Sequence, residues 1–217
     1  MIEFRNVSKS FWTGQRRKVI LDRASFRVEM GRNLGILAPN GTGKTTLINM
    51  MAGLEQPDEG TIHREARVSF PLGFSGGIDQ SLSAVENARY IARLYGLDPD
   101  YVEAFMRALV DIGEYFEMPI ATYSAGMRSR VAFALMLSLQ FDFYLIDEGL
   151  PSTADVGFIR SANAILGERL ANATLVIVSH NPGVIEKYCR QAGVLRDGQL
   201  HMFDNLAEAQ RLYDYVG

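Results

Sequence analysis

A glycine-rich segment of the chain has the residue types and spacing of a phosphate-binding loop. It follows the pattern G-x-x-x-x-G-K-[ST], the Walker A pattern, except that Ala38 stands at the first glycine position. Gly41 and Gly43 let successive backbone N–H groups point into one concavity, and the following helix adds about half a positive charge. We therefore expect a nucleotide's phosphates to bind at Ala38, Pro39, Asn40, Gly41, Thr42, Gly43, Lys44, Thr45 and Thr46.

Two side chains of this loop have distinct expected roles. Lys44 would bridge the outer phosphates, and the Thr45 hydroxyl would ligate Mg²⁺. Ala38 requires a negative φ, because a methyl group is strained elsewhere. The alternative is a turn that only caps a helix. The apolar run before the loop and the sequence Gly43-Lys44-Thr45 favour phosphate binding.

Two adjacent carboxylates end another apolar run. The strand-like segment Phe143–Ile146 leads into Asp147 and Glu148. Because neighbouring strand residues point to opposite sides, the two acids can act differently. We expect Asp147 to help bind Mg²⁺ and Glu148 to polarise the attacking water in a hydrolysis reaction. The alternative, a surface turn with two solvated acids, is less favourable beside a phosphate-binding loop.

The elements that must position these residues predict an α/β fold with a mainly parallel core sheet. Wholly apolar runs at Leu34–Leu37, Tyr144–Ile146 and Leu175–Val178 are typical of parallel strands that are covered on both faces. The first 35 residues or so alternate as strands do, with a polar, basic tip at Thr13–Lys18. This pattern predicts an N-terminal antiparallel edge with an exposed hairpin.

A mostly helical insertion, about residues 82–140, interrupts the sheet. Ser83 and Glu86 form a capping box, and Asp98-Pro99 opens a second helix. The apolar residues of that second helix recur at helical spacing: Val102, Phe105, Met106 and Leu109. No repeat or linker sets the insertion apart. We therefore expect one domain, residues 1–217, with a helical subdomain.

Composition excludes several classes of protein. Lys+Arg 22 against Asp+Glu 25 gives a net charge of −3, too balanced for a protein that coats nucleic acid. The longest apolar run, Val131–Leu137, is far shorter than the roughly 20 residues of a membrane-spanning helix. With no secretory leader pattern and one cysteine, Cys189, we expect a cytosolic protein without an internal disulfide.

A third segment, Tyr123–Arg130, reads YSAGMRSR and precedes a helical run expected at Val131–Leu139. It resembles the signature motif of the ATP-binding cassette (ABC) ATPases, LSGGQ in its common form. Ala125 replaces one glycine of that motif and Met127 replaces the glutamine. The whole chain thus resembles a P-loop NTPase of the ABC ATPase type, with ATP and Mg²⁺ as its cofactors.

The resemblance implies roles for residues outside the Walker A pattern and the acidic pair. Ser124, Gly126 and the helix N-terminus behind them would contact the γ-phosphate held by a second copy, in a head-to-tail homodimer with two ATP molecules. His180 matches the switch histidine that contacts the γ-phosphate. Phe11 or Trp12 matches the aromatic residue that stacks on adenine, and we favour Phe11.

Two positions depart from the ABC pattern. A glutamine is expected between the sheet and the helical insertion, but residues 68–78 read VSFPLGFSGGI and only Gln80 lies nearby. The aspartate of the dimer-contact loop is expected where Ala154 stands, and Asp155 lies one residue further.

Within the superfamily the chain resembles the subunits that export capsular polysaccharide and related surface glycans. That resemblance implies a separate integral-membrane permease, contacted through the loop 70–77, and a place on the cytoplasmic face of the inner membrane. The alternative is a soluble cassette ATPase that acts on DNA or ribosomes. Three stretches carry the resemblance: residues 71–77 before Glu86-Asn87; Tyr123–Arg130; and Leu195–Gly198 with Phe203, Asp204 and Tyr213.

Overall fold

The computed structural model describes residues 1–14, 16–71, 78–148 and 156–214. The chain divides into two compact units. The first, which we call the core unit, comprises residues 1–71, 141–149 and 172–217. The second, the helical unit, comprises residues 72–140 and 150–171.

The core unit contains two β-sheets. A three-stranded antiparallel sheet has the order β2-β1-β4, and a five-stranded sheet has the order β5-β6-β3-β7-β8. In the larger sheet β5, β6, β3 and β7 run parallel, and only the edge strand β8 is antiparallel. The predicted α/β fold with an antiparallel N-terminal edge is confirmed. The strands are β1 Ile2–Thr13, β2 Arg16–Val28, β3 Leu34–Leu37, β4 Glu59–Arg64, β5 Phe143–Asp147, β6 Thr174–Ser179, β7 Gln191–Arg196 and β8 Gln199–Phe203.

The parallel strands are buried along almost their whole length. Every residue of β3 and β6 is buried, as is β5 up to its last residue, Asp147. This explains their continuous apolar sequences, since neither face meets solvent. Helices α1 (Lys44–Ala52), α6 (Pro182–Tyr188) and α7 (Leu206–Asp214) complete the core unit. Gly35 of β3 lets α6 approach closely, because a Cβ there would overlap the Ile185 side chain.

The register of the parallel strands brings their carboxyl ends together. Leu37 of β3 is paired with Ser179 of β6, and Asp147 of β5 is paired with Val178. The segments that follow β3, β5 and β6 therefore emerge side by side. Ligand sites in parallel α/β sheets form at such an edge.

The helical unit contains α2 (Ala84–Leu94), α3 (Pro99–Val110), α4 (Ala125–Ser138) and α5 (Val156–Leu170), with 3₁₀ turns at Gly113–Glu117 and Ile120–Thr122. The expected capping box is present: Ser83 and Glu86 hydrogen bond reciprocally at the start of α2. Asp98 caps α3 as predicted. The helix expected at Val131–Leu139 is longer, because Ser124 caps it and it begins at Ala125.

Among the helices that the structure describes, none is both long enough and apolar enough to cross a lipid bilayer.

Candidate functional site

The Walker segment, residues 38–46, forms a tight turn after β3, which we call the Walker turn, and continues into α1. Ala38 is fully buried, and its N–H donates to the Ser179 carbonyl at 3.2 Å. Ala38 is not among the described non-glycine residues with positive φ, so its methyl group is accommodated as the sequence required. Gly41 and Gly43 have φ of +81° and +109°. A Cβ at Gly43 would lie 2.5 Å from the Ile20 side chain, so glycine is also required there for space.

Lys44 is the buried cation of the site. Its side chain is 7% exposed, and its ammonium lies 2.6 Å from Glu148 Oε1. It also donates to Asn40 Oδ1 at 2.8 Å and to the Ala38 carbonyl at 3.3 Å. An ammonium can donate three hydrogen bonds. The Lys44 ammonium directs them to three protein oxygens, one each from Glu148, Asn40 and Ala38.

The other residues of the segment have lesser contacts. The Thr42 hydroxyl donates to the Pro39 carbonyl at 2.8 Å, which closes the turn. Pro39 and Asn40 are exposed, and Thr46 is half-buried in the first turn of α1. Gly43 is the N-cap residue of α1. Because it has no side chain, it offers no side-chain acceptor to the first backbone N–H groups of α1.

Asp147 and Thr45 meet at the carboxyl end of β5. Thr45 Oγ1 donates to Asp147 Oδ2 at 2.7 Å. Asp147 Oδ1 is buried and finds no hydrogen-bond partner among the described residues. Burial raises the pKa of Asp147, the nearby Glu148 charge adds to this, and the Thr45 hydrogen bond acts in the opposite direction. A buried carboxylate oxygen without a partner beside a hydroxyl oxygen is the hard-oxygen donor set that suits Mg²⁺.

Glu148 leaves the strand in a left-handed conformation. Its φ is +66°, and its N–H donates to the Val178 carbonyl at 2.8 Å. Strand alternation was expected to separate the two acids, but β5 ends at Asp147. The left-handed conformation of Glu148 separates the two carboxylates instead. It directs Asp147 to Thr45, and Glu148 to Lys44 and His180.

His180 follows β6 and is paired with Glu148. Its Nδ1 lies 2.6 Å from Glu148 Oε2. Burial acts to raise the pKa of Glu148, but Lys44 and His180 outweigh it and hold that pKa below its ordinary value. An ionised carboxylate can only accept hydrogen bonds, so Nδ1 of His180 carries the hydrogen. Sequence reasoning missed a further contact, in which the Tyr213 hydroxyl of α7 donates to the His180 carbonyl at 3.2 Å.

The hairpin of β1 and β2 distinguishes the two aromatic candidates. Phe11 is paired with Lys18 and Trp12 with Arg17, so the side chains of Phe11 and Lys18 share one face of the hairpin. The Lys18 ammonium reaches within 4.0 Å of the position a Cβ would take at Gly41, which places that face against the Walker turn. Trp12 lies on the opposite face and is 72% exposed. This geometry favours Phe11.

The signature residues belong to the helical unit. Ser124 is exposed, and its hydroxyl accepts from the Met127 N–H at 3.2 Å as the cap of α4. Gly126 lies in the first turn of α4. Gln80 is exposed in the same unit, and its carbonyl accepts from the Ala121 N–H at 2.8 Å. Asp155 and residues 72–77 lie outside the described residues.

A comparison with protein families identifies this arrangement. The pattern of the ABC transporter family matches residues 21–150. The chain belongs to the ABC transporter family. The matched range includes the Walker segment, the signature and the acidic pair.

Individual ABC proteins resemble the chain over nearly its full length. It is 41% identical to the ATP-binding protein BexA of Haemophilus influenzae, over 99% of this chain and 98% of that protein. It is 39% identical to the capsule polysaccharide export ATP-binding protein CtrD of Neisseria meningitidis serogroup B, over 99% of each chain. It is 36% identical to the polysialic acid transport ATP-binding protein KpsT of Escherichia coli, over 96% of each chain.

Solved structures of ABC cassettes share the fold. A dimeric cassette in a post-hydrolysis state with bound ADP and Pi superposes with a TM-score of 0.77 at 20% identity, over 95% of this chain and 99% of that chain. A second dimeric bacterial ABC transporter cassette also gives 0.77, at 21% identity and the same coverage. At these identities the comparison establishes the fold, and it confirms the predicted ABC ATPase architecture.

Asp147→Asn is expected to stabilise the ligand-free protein at neutral pH. A carboxyl group with a raised pKa binds its proton more tightly when folded, so stability falls as pH rises from about 3.8, its ordinary pKa, through the raised value. Removing the charge should therefore increase the free energy of unfolding by about 1 kcal/mol. Urea unfolding at pH 7 and below pH 3.8 measures this, because the gain disappears at the lower pH.

The exposed Asp204 provides the matched control. Asp204→Asn should change the free energy of unfolding by less than about 0.5 kcal/mol at either pH. A lower stability of Asp147→Asn at pH 7 would contradict the destabilising burial of Asp147.

Proposed function

We propose that this chain is the ATP-hydrolysing subunit of an ABC exporter that moves capsular polysaccharide or a related surface glycan. The ATPase proposal rests on one observation, made at the carboxyl edge of the core sheet. Glu148 pairs with both Lys44 and His180 there, and the neighbouring Asp147 accepts a hydrogen bond from Thr45. The glycan proposal is supported by the relatives CtrD and KpsT, whose names state capsule polysaccharide export and polysialic acid transport.

In the proposed mechanism the Walker turn binds the phosphates of ATP. Its backbone N–H groups surround the phosphates, and Lys44 exchanges the Glu148 carboxylate for phosphate oxygens. Phosphoryl transfer needs positioning and charge stabilisation more than covalent chemistry, and the fixed cation and backbone dipoles supply both. Phe11 and the residues Ala38 to Thr46 are the proposed nucleotide contacts in this chain.

Glu148 is the proposed general base. Once Lys44 is occupied by phosphate, the carboxylate is free to accept a proton from the attacking water. His180 keeps that carboxylate in place through Nδ1, and as an imidazolium, with hydrogens on both ring nitrogens, it would also donate to the γ-phosphate. Thr45 and Asp147 are the proposed Mg²⁺ ligands, and the ion would neutralise charge on the phosphates.

The proposed active form is a head-to-tail homodimer. Ser124 and Gly126 of one copy would contact the γ-phosphate bound by the other. The N-terminus of α4, capped by Ser124, provides N–H groups and a partial positive charge for that contact. The fold of the dimeric cassettes is consistent with this assembly. In this proposal the whole chain is one nucleotide-binding domain whose helical subdomain carries the signature.

The second proposed partner is an integral-membrane permease, which this chain would contact as a peripheral subunit at the cytoplasmic face of the inner membrane. ATP-driven closure of the dimer would be passed to the permease, and hydrolysis would reopen the dimer. The transport names of the relatives favour this partner over DNA or ribosomes.

Glu148→Gln should retain ATP binding and slow hydrolysis by about 10²-fold or more, because the amide cannot accept the proton of water. Steady-state ATPase rates and equilibrium binding of ATP measure the two effects. His63 and Glu65 form a comparable imidazole–carboxylate pair at 3.0 Å away from the proposed site, so Glu65→Gln is the matched control and should be active. Wild-type turnover of Glu148→Gln would exclude the general-base role.

Membrane attachment should depend on the permease. The protein should sediment with membranes from cells that carry the permease gene of the same export system and remain in the supernatant without it. Nuclease treatment should change neither result. Sedimentation with ribosomes, or release of the protein by nuclease, would contradict the transport proposal and support the soluble alternative.

A further inference from the structure

Lys9 is a buried cation that the proposed mechanism does not use. It lies on β1, two residues before Phe11, and its side chain is 9% exposed. Burying an ammonium is costly unless it is paired with opposite charge. We therefore ask which groups pair with the Lys9 ammonium and what its charge does there.

An acidic segment between α1 and β4 holds the Lys9 ammonium from three directions. The ammonium lies 2.5 Å from Glu55 Oε1 and 3.3 Å from Asp58 Oδ1, and it donates to the Gln56 carbonyl at 2.8 Å. Burial favours the neutral amine, but the two carboxylates outweigh burial and raise the pKa of Lys9. Lys9 is thus a fixed, charged group.

Asp58 also ties down the backbone beside the aromatic residue. Its Oδ2 accepts from the Ser10 N–H at 2.7 Å and from the Ser10 hydroxyl at 3.2 Å. Asp58 therefore anchors both Lys9 and Ser10, the two residues that precede Phe11 on β1. The part of β1 that leads into Phe11 is therefore held in place by Asp58.

The Lys9 ammonium lies 5.0 Å from the centroid of the Phe11 ring. This is within the distance at which a cation is attracted to an aromatic face. The cation holds the ring from one side, and Phe11 is still 38% exposed. A cation on one face also withdraws electron density from the ring, which favours stacking of an electron-rich base on the other face.

We propose that Lys9 is a positioning residue that holds the Phe11 ring as the stacking surface for adenine. This inference rests on the proposed function, because it requires that the chain binds ATP. Lys9 acts through Phe11 and contacts no phosphate. Its contribution should therefore be specific to ligands that carry a base.

The test compares ATP with inorganic triphosphate, which has the phosphates and no base. Lys9→Met keeps the aliphatic stem and removes the charge. It should weaken ATP binding about three- to tenfold and leave triphosphate binding unchanged. Lys9→Arg keeps a cation over the ring and should restore most of the ATP affinity. Calorimetry or the fluorescence of Trp12, the single tryptophan, reports binding.

Lys187 provides the matched control. Its ammonium lies 4.8 Å from the centroid of the Tyr188 ring, on α6. Lys187→Met removes a comparable cation from a comparable ring and should leave the dissociation constants of both ligands unchanged. An equal effect of Lys187→Met on ATP would overturn the proposal, because the effect would not depend on Phe11.

A double-mutant cycle tests whether Lys9 acts through the ring. Phe11→Ala should weaken ATP binding about fivefold or more and leave triphosphate binding unchanged. In the Phe11→Ala background, Lys9→Met should have no further effect on ATP affinity. Equal weakening of ATP and triphosphate, or a full additional loss in that background, would overturn the role of Lys9.

A second variant covers the case in which Lys9→Met does not fold. Glu55→Gln with Asp58→Asn retains Lys9 and loosens its anchor, and it should weaken ATP selectively by about two- to fivefold. Unchanged ATP affinity in this folded variant would overturn the proposal. An unchanged ATP affinity of Phe11→Ala would do so as well. Neither result affects the proposed ATPase function, which fails separately if the wild-type protein does not hydrolyse ATP.

Discussion

The ammonium of Lys44 is the group around which the candidate site is organised. It is almost fully buried, and an unpaired buried charge costs several kcal/mol. Its compensation comes from Ala38, Asn40 and Glu148, which lie on two segments far apart in sequence. Those oxygens are in place only because the parallel sheet brings the ends of β3 and β5 to one edge. In the proposed mechanism phosphate oxygens replace them, so the charge stays paired.

Much of the fold could be predicted because runs of apolar residues indicate which segments are buried, and capping residues indicate where helices begin. The apolar strands β3, β5 and β6 have no polar alternation, and the caps Ser83 and Asp98 mark helix starts. The start of α4 was misplaced because Ala125–Arg130 contains few apolar residues, although Ser124 is a good cap. The left-handed turn at Glu148 was missed, since a glutamate does not indicate positive φ.

Long-range contacts around the site could not be predicted for a different reason. Lys9 of β1 meets Glu55 and Asp58 of the segment that precedes β4, and Tyr213 reaches the His180 carbonyl from the last described helix. Neither pair has a local spacing that a single sequence reveals. Such residues surround the groups expected to contact the nucleotide and hold them at fixed distances, as preorganised electrostatic sites require.

A crystal structure of the wild-type protein with a non-hydrolysable ATP analogue and Mg²⁺ tests the central claim most directly. The account predicts that the Lys44 ammonium contacts phosphate oxygens, that Glu148 has left Lys44, and that adenine lies on Phe11. A bound analogue with the 2.6 Å contact between Lys44 and Glu148 still intact, or phosphates bound away from the Walker turn, would contradict it.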